Sequence, residues 1–327
     1  MKRRDFIKAS TAGATAVAIS EAAPAAATAT ATAPEKKTSE FPKRTFGKNG
    51  PKLSVITFPG LVLRKLTQEA GNKVVARSVQ RGINYYDVAP AYGDAEIKLG
   101  PALAPYRKKV FLACKTKMRD AAGAKMEFER SLKRLQTDHF DLYQMHVLTD
   151  VEKDVKAAFA KGGAMEYLIE QKKAGRIRYL GFSAHTEEAA LAAMELFKFD
   201  SVMFPINFAS WLKAGFGPKV VDKAKASGTS IIGIKTFARR RWKKGDPGRK
   251  RFPIWYEPTH EPAEASLALN FAMSQGLTAT VPPASTEIHK LALDLAPKIR
   301  EITPAETAKL KALAKTLTPL FPHKPKK

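Results

Sequence analysis

The sequence predicts an α/β fold, a (β/α)8 TIM barrel with an N-terminal β-hairpin, on three observations. Short apolar runs alternate with amphipathic stretches along most of the chain. Parallel neighbours need a crossover connection, whose usual form is a helix, so that alternation points to a parallel sheet. An open doubly wound sheet would carry G-x-G-x-x-G after its first strand, and the chain has no such run. Gly215-Phe216-Gly217 lacks the third glycine and follows no predicted strand, and no P-loop occurs.

The hairpin is read at Arg44–Leu53, with Asn49-Gly50 expected to supply the positive φ angles of a tight turn. The barrel strands are read at Leu53–Phe58, Ile83–Asp87, Val110–Lys115, Phe140–His146, Ile177–Phe182, Ser201–Pro205, Ser230–Lys235 and Thr278–Val281. Helical patterns between them include Lys125–Leu135, Met165–Ala174, Thr186–Phe197 and Ala263–Ser274. The 327 residues are compatible with one domain, because barrels of this kind run to about 250 residues. A hydrophobic content of 44% supports one large core and argues against disorder.

The formal charge of +25 attracts nucleic acid, anionic lipid or an anionic cofactor without choosing among them. One dense basic run, Arg239–Arg251, stands out and reads first as a solvated face. Specific nucleic-acid binding would need a groove-reading or stacking module, and none is visible, so no such partner is expected. Cys114 is the sole cysteine, which rules out an intramolecular disulfide and a cysteine metal cluster. The histidines His139, His260, His289 and His323 show no ligand-like spacing, so no metal is expected.

Export is expected from the first residues. Arg3-Arg4 followed by Phe6, Ile7 and Lys8 matches the twin-arginine signal pattern, and the Ala/Thr-rich stretch after it is too short and weakly apolar to span a membrane. Residues 1–34 are therefore read as a twin-arginine signal, with the folded body at 35–327 ending in a basic C-terminal tail. The implied location is periplasmic or otherwise exported, and the implied partner is the twin-arginine export machinery.

In a parallel barrel the reactive groups sit at the C-terminal strand ends and in the loops that follow. Those positions hold Asp87, Tyr92, Lys115 and His146: an acid, a phenol, an amine and an imidazole on successive strands. Each alone has a bland reading, as a helix cap, a loop aromatic, a rim charge or a satisfied histidine. Four at one rim are harder to ascribe to chance. A lysine ending the apolar run V-F-L-A-C-K is also costly to bury unless paired.

From Arg44 to about Leu293 the chain resembles the aldo/keto reductase family. The resemblance is carried by Gly82–Glu96 (G-I-N-Y-Y-D-V-A-P-A-Y-G-D-A-E), Val110–Lys117, Ser131–His146 and Gly175–Ser183. It implies an oxidoreductase that reduces an aldehyde or ketone by hydride transfer from NADP(H), with NAD(H) the alternative. The family's catalytic tetrad falls on Asp87, Tyr92, Lys115 and His146 without substitution. The resemblance makes Tyr92 the general acid, Lys115 the charge that favours its phenolate, Asp87 the anchor of Lys115, and His146 the donor that holds the carbonyl.

Ser183 keeps the serine of the family's nicotinamide site, and Asn207, Lys235, Thr236, Ser285 and Thr286 are further candidate cofactor contacts, of which Asn207 and Lys235 have a purely structural role as the alternative. Ser285 and Thr286 would cap a helix and meet a phosphate there. Departures occur at Ala184, Met203 and Ile234, where the family commonly has Asn, Gln and a stacking aromatic. Arg239, Arg240 and Arg241 are candidates to fold over the cofactor phosphates. Trp211, Trp255 and Tyr256 are candidates for a wall around a small carbonyl substrate. The other function class left open is an exported barrel that binds a ligand or protein partner without catalysis, and the departures motivate it.

Overall fold

The structure is a computed structural model that describes residues 40–252 and 254–322. The predicted signal at 1–34 and the lysines of the basic tail lie outside the described residues.

The strands are β1 (Lys43–Thr45), β2 (Lys52–Ser54), β3 (Phe58–Pro59), β4 (Tyr85–Asp87), β5 (Phe111–Thr116), β6 (Phe140–Leu148), β7 (Ile177–Ala184), β8 (Ser201–Pro205), β9 (Ser230–Ile234), β10 (Ala238–Arg241), β11 (Tyr256–Pro258) and β12 (Ala279–Val281). Eight of them form one parallel sheet in the order β3-β4-β5-β6-β7-β8-β9-β12. The ends of that sheet meet. Ile56 bridges Thr280 in parallel, Thr57 N–H donates to Thr280 O at 2.9 Å, and Thr280 N–H donates to Val55 O at 2.8 Å. The result is the (β/α)8 barrel that the alternating pattern predicts.

Helices cross over outside the barrel, and sequence sets their starts. Thr67, Asp120, Thr186 and Ser285 each accept a hydrogen bond from a first-turn backbone N–H, so the helices Gln68–Gln80, Ala121–Leu135, Glu187–Leu196 and Thr286–Leu295 begin capped. The larger core lies between these helices and the strands. A second core fills the barrel with Tyr85, Phe111, Leu142, Met203, Ile232 and Ala279, and Phe46 and Leu53 of the β1–β2 hairpin join it. Phe46 packs 5.4 Å from Phe111 and 5.0 Å from Tyr179, centroid to centroid, and so plugs the N-terminal ends of the strands. The C-terminal ends are left for the site.

Three local expectations change. The run Leu53–Phe58 is two elements: Leu53 and Ser54 belong to β2, while the barrel strand β3 begins only at Phe58. The hairpin turn is not a two-residue Asn-Gly turn, because Thr45 pairs with Lys52 and six residues lie between them. Positive φ falls on Gly47 instead, and Gly50 is needed because a Cβ there would sit 2.2 Å from Phe46 O. Lys235 lies beyond the end of β9, with φ of 63°.

Candidate active site

At the C-terminal ends of the barrel strands opens a cavity of about 410 Å³, lined among others by Asp87, Tyr92, His146, Ser183, Lys235 and Trp255. Asp87 ends β4, and Lys115 lies in the neighbouring β5, two residues past Ala113, the register partner of Asp87. Both side chains are buried, and Lys115 Nζ donates to Asp87 Oδ1 at 2.5 Å and to Val88 O at 3.1 Å. Taking two charges out of water costs several kcal/mol each, about as much as their attraction returns, so the pair tolerates burial only with its hydrogen bonds made. Burial pulls the Lys115 ammonium down, but the Asp87 carboxylate, with help from Tyr92, more than offsets it, and the lysine is held above its ordinary value. Lys115 is thus a fixed positive charge.

That charge lies 5.5 Å from the centroid of the Tyr92 ring. Tyr92 ends a short 3-10 turn, Pro90–Tyr92, and meets the His146 ring edge-on at 5.7 Å and 82°. Burial pushes the Tyr92 phenol up and Lys115 pulls against it; the net direction is up. The sequence reading expected Lys115 to lower this group. It does so only in part, because the phenol is also withdrawn from water, and Tyr92 therefore keeps its proton at neutral pH. His146 moves the other way. Burial first, then the charges of Lys115, Lys117, His185 and Arg119, holds it well below its ordinary value, so the imidazole is neutral.

Two supports of this group were not read from the sequence. Gln144 is buried two residues before His146, on the same side of β6, and Gln144 Nε2 donates to Asp87 Oδ2 at 3.4 Å. Its signal was an amide inside an apolar strand. After His146 the pairing of β6 with β7 slips by one residue between Met145 and Leu148, and Val147 takes φ of 60°. A β-branched residue in that region costs on the order of 1–3 kcal/mol. Ser183 Oγ accepts the Val147 N–H at 2.8 Å at this bulge.

The structure sorts the remaining predicted residues. Ser183 lines the cavity, and so does Lys235, whose ammonium lies 5.7 Å and 5.6 Å from the ring centroids of Trp255 and Tyr256. Burial drives the Lys235 amine down to about 8. Ser285 caps the helix Thr286–Leu295 by accepting from Ile288 N–H at 3.3 Å, with Thr286 exposed at its first turn. Asn207 does not line the cavity. It is buried, accepts from Ser210 N–H at 3.0 Å and donates to Ala238 O, tying the segment after β8 to the start of β10. Thr236 is likewise buried, with its hydroxyl 2.8 Å from that of Thr280.

The basic run begins in β10, which pairs antiparallel with β11 just beyond the run. Arg239 is held by Glu257 and Glu264, and Arg240 by Glu257, so neither guanidinium is left to meet a phosphate in this arrangement. Arg241 lies 5.7 Å from the Trp255 ring centroid. Arg251 pairs at 2.5 Å with Glu287, the second residue of the helix that Ser285 caps. Of the three predicted wall aromatics, Trp255 and Tyr256 line the cavity, whereas Trp211 packs on Phe271. His185 joins the wall unpredicted; it stacks on Phe321 at 6.0 Å and 6°, and burial drives it down to about 4.

Comparison with known proteins bears on the family and the fold. The chain is 36% identical over 128 residues to the aldo-keto reductase YhdN of Bacillus subtilis, covering 34% of this chain and 36% of that protein. It is 28% identical over 245 residues to the methylglyoxal reductase DkgB of Salmonella typhimurium, covering 72% of this chain and 85% of that one. The chain therefore spans about a third of the first curated relatives it matches and most of DkgB. Among solved structures, the holo form of aldo-keto reductase AKR11C1 from Bacillus halodurans superposes with a TM-score of 0.66 at 22% identity, over 86% of this chain and 99% of that one. The glycerol dehydrogenase AKR11B4 of Gluconobacter oxydans gives 0.65 at 17%, over 87% and 98%. These two likenesses show the barrel. The family model described as "Aldo/keto reductase family" matches residues 59–312, most of the described chain, and the protein belongs to that family.

Proposed function

We propose that the protein reduces an aldehyde or ketone with a nicotinamide dinucleotide, NADPH before NADH, and that Tyr92 supplies the proton. The observation that carries this reading is the buried Asp87–Lys115 pair set beside a protonated Tyr92 and a neutral His146 at one cavity.

The residues present fit a dinucleotide. Met203, Ile234 and Val281 give the cavity an apolar face for a flat ring. The Ser183 hydroxyl accepts from Val147 and keeps its own proton to donate to a carboxamide. Lys235 offers a cation without a carboxylate partner among the described residues, and the capped start of Thr286–Leu295 offers free backbone N–H groups, both suited to phosphates. Arg251 places a basic group at that helix start, although Glu287 engages its guanidinium here, so the preference for the dinucleotide with an additional phosphate rests on the family resemblance. Ala184 and Met203 offer no hydrogen bond where the family commonly does, so Ser183 would carry the carboxamide contact alone.

Bound there, the dinucleotide would supply the hydride that reaches the carbonyl carbon. The chain does the rest. His146 donates a hydrogen bond to the carbonyl oxygen and fixes its direction. As negative charge grows on that oxygen, Tyr92 passes its phenolic proton to it, forming the alcohol. The phenolate left behind is stabilised by Lys115, whose charge Asp87 and Val88 O hold in place, until solvent returns the proton. The methylglyoxal reductase relative makes a small aldehyde a sensible first substrate.

The test is NADPH and NADH binding by fluorescence quenching, with turnover of methylglyoxal in the same samples. Saturable binding with turnover that collapses in Tyr92→Phe supports the reading. Absence of binding to either nucleotide would overturn it and favour the barrel that binds without catalysis. Export by the twin-arginine route remains part of this proposal, supported by Arg3-Arg4 and by a single cysteine that needs no oxidising folding compartment.

A further inference from the structure

The bulge that follows His146 leaves carbonyls without strand partners, and one side chain collects them. Arg119 Nη2 donates to His146 O at 3.0 Å and to Val147 O at 3.3 Å, while Nη1 donates to Lys117 O at 3.0 Å. The third guanidinium nitrogen, Nε, donates to Asp154 Oδ1 at 3.1 Å. Asp154 turns its other oxygen to the chain just past the bulge: Oδ2 accepts from Thr149 N–H at 2.7 Å, Thr149 Oγ1 at 2.9 Å and Asp150 N–H at 3.0 Å. Both side chains are largely withdrawn from solvent, at 17% and 19% exposure.

Arg119 is itself anchored, because its carbonyl accepts from Ala164 N–H at 2.8 Å at the start of the helix Ala164–Lys173. The planar fork thus stitches the loop after β5, which carries Lys115, to the loop after β6, which carries His146. A lysine could not do this, since its three N–H donors share one nitrogen, whereas the guanidinium sends donors from three nitrogens held in one plane. Arg119 does not line the cavity, so it does not reach a bound substrate or cofactor.

We propose that Arg119, braced by Asp154, is a positioning residue: it holds Val147 in its left-handed conformation and thereby aims the His146 ring at the carbonyl to be reduced. The proposal rests on the reductase reading of the site. Val147 pays conformational energy to make the bulge, and Ser183 and Arg119 supply the hydrogen bonds that keep it there. Remove Arg119 and Val147 relaxes toward extended backbone, carrying the His146 side chain off its line. Glycine at 147 would adopt the same φ without strain, so the bulge would then need Arg119 far less.

The experiment compares Arg119→Ala with the double variant Arg119→Ala/Val147→Gly in the full chain. Arg119→Ala is expected to lower kcat for methylglyoxal by about 10²-fold, the loss typical of a displacement near roughly 1 Å, with the Kd for NADPH unchanged. The double variant is expected to recover about tenfold of that loss, the sign of strain relieved. In parallel, the His146 ring signal in a 13C-labelled sample should move in Arg119→Ala and move back in the double variant. The two variants carry the same charges, so that return reads geometry alone. Losses that simply add, or a kcat deficit that only tracks a lowered Tm, would overturn the proposal. If wild-type protein reduces no aldehyde, the reductase reading fails first. The ring signal still decides the positioning: unmoved in Arg119→Ala, or moved and not restored by Val147→Gly, it sinks the proposal as well.

Discussion

Lys115 Nζ and Asp87 Oδ1 meet at 2.5 Å on neighbouring barrel strands, with 0% and 2% of their side chains exposed. Removing one member leaves the other as an uncompensated buried charge. Asp87→Ala is expected to destabilise the fold by about 3–5 kcal/mol, whereas Asp87→Ala/Lys115→Met should restore much of that loss while abolishing turnover. Urea unfolding with circular dichroism reads both. A single variant as stable as wild type would mean that the pair is not buried as described.

Tyr92→Phe removes one oxygen beside Lys115 and leaves the ring that packs edge-on against His146. Reduction should fall by about 10²–10⁴-fold, with dinucleotide affinity little changed. Steady-state kinetics and fluorescence quenching separate the two quantities. Because burial holds the Tyr92 phenol up and the His146 imidazole down, neither changes protonation near neutrality, and kcat should not step between pH 6 and 8 for reasons of these two groups.

Acid should unfold the protein through its histidines. Burial, with Arg81 adding to it, drives His289 down to about 4, and burial with Lys235 and Lys117 does the same to His185. A histidine whose folded pKa lies below its unfolded value near ~6.5 contributes stability that is present above that value and is lost as pH falls toward the folded pKa. The urea midpoint is therefore expected to decline from pH 6.5 to 4. His289→Gln should flatten part of the slope, because an amide can still bond Ser78, 3.1 Å from Nε2 in the wild type, without titrating. An unchanged slope in His289→Gln would show that His289 is not the source.

How much of this was legible in the sequence follows from how local each cause is. The four candidate groups were legible because they end or closely follow short apolar runs, and barrel topology alone assigns those ends to one face. Helix caps at Thr186 and Ser285 were equally local. What stayed hidden depends on distant partners. The Asn207 cap on Ser210 is local, but nothing near Asn207 says that its amide would also donate to Ala238 O, and nothing near Arg239 says that Glu257 and Glu264 would neutralise it. The left-handed Val147 was the least visible, since valine is the residue that least advertises such a conformation.

Export should depend on the arginine pair. On the export proposal a receptor would read the two guanidinium groups as an address, so replacing them with lysine keeps the charge but loses the planar fork. Arg3→Lys/Arg4→Lys is expected to leave the chain in the cytoplasmic fraction, with wild-type protein in the exported one. Fractionation with an antibody to the folded body checks this, and equal distribution of the two would remove the twin-arginine reading.

If the dinucleotide binds as proposed, Lys235 should link pH to its binding. It sits beyond the end of β9 at the cavity wall, between Trp255 and Tyr256, and burial brings it down to about 8 from the 10.5 of a free lysine. An anionic phosphate binds only the charged amine strongly, so affinity for NADPH should weaken as pH rises through about 8 and should recover on return to pH 7. The stability effect has the opposite sign. Between about 8 and 10.5 the unfolded chain holds the proton that the folded chain has released, so this group makes folding more favourable as pH rises across that window. Lys235→Met should therefore weaken NADPH binding at pH 7, erase its pH dependence near 8, and leave the fold no less stable. Titration of NADPH fluorescence quenching at pH 7 and pH 9 reads all but the last, and urea unfolding reads that. An affinity that is flat with pH in the wild type would place the cofactor phosphates away from Lys235, at the helix start capped by Ser285.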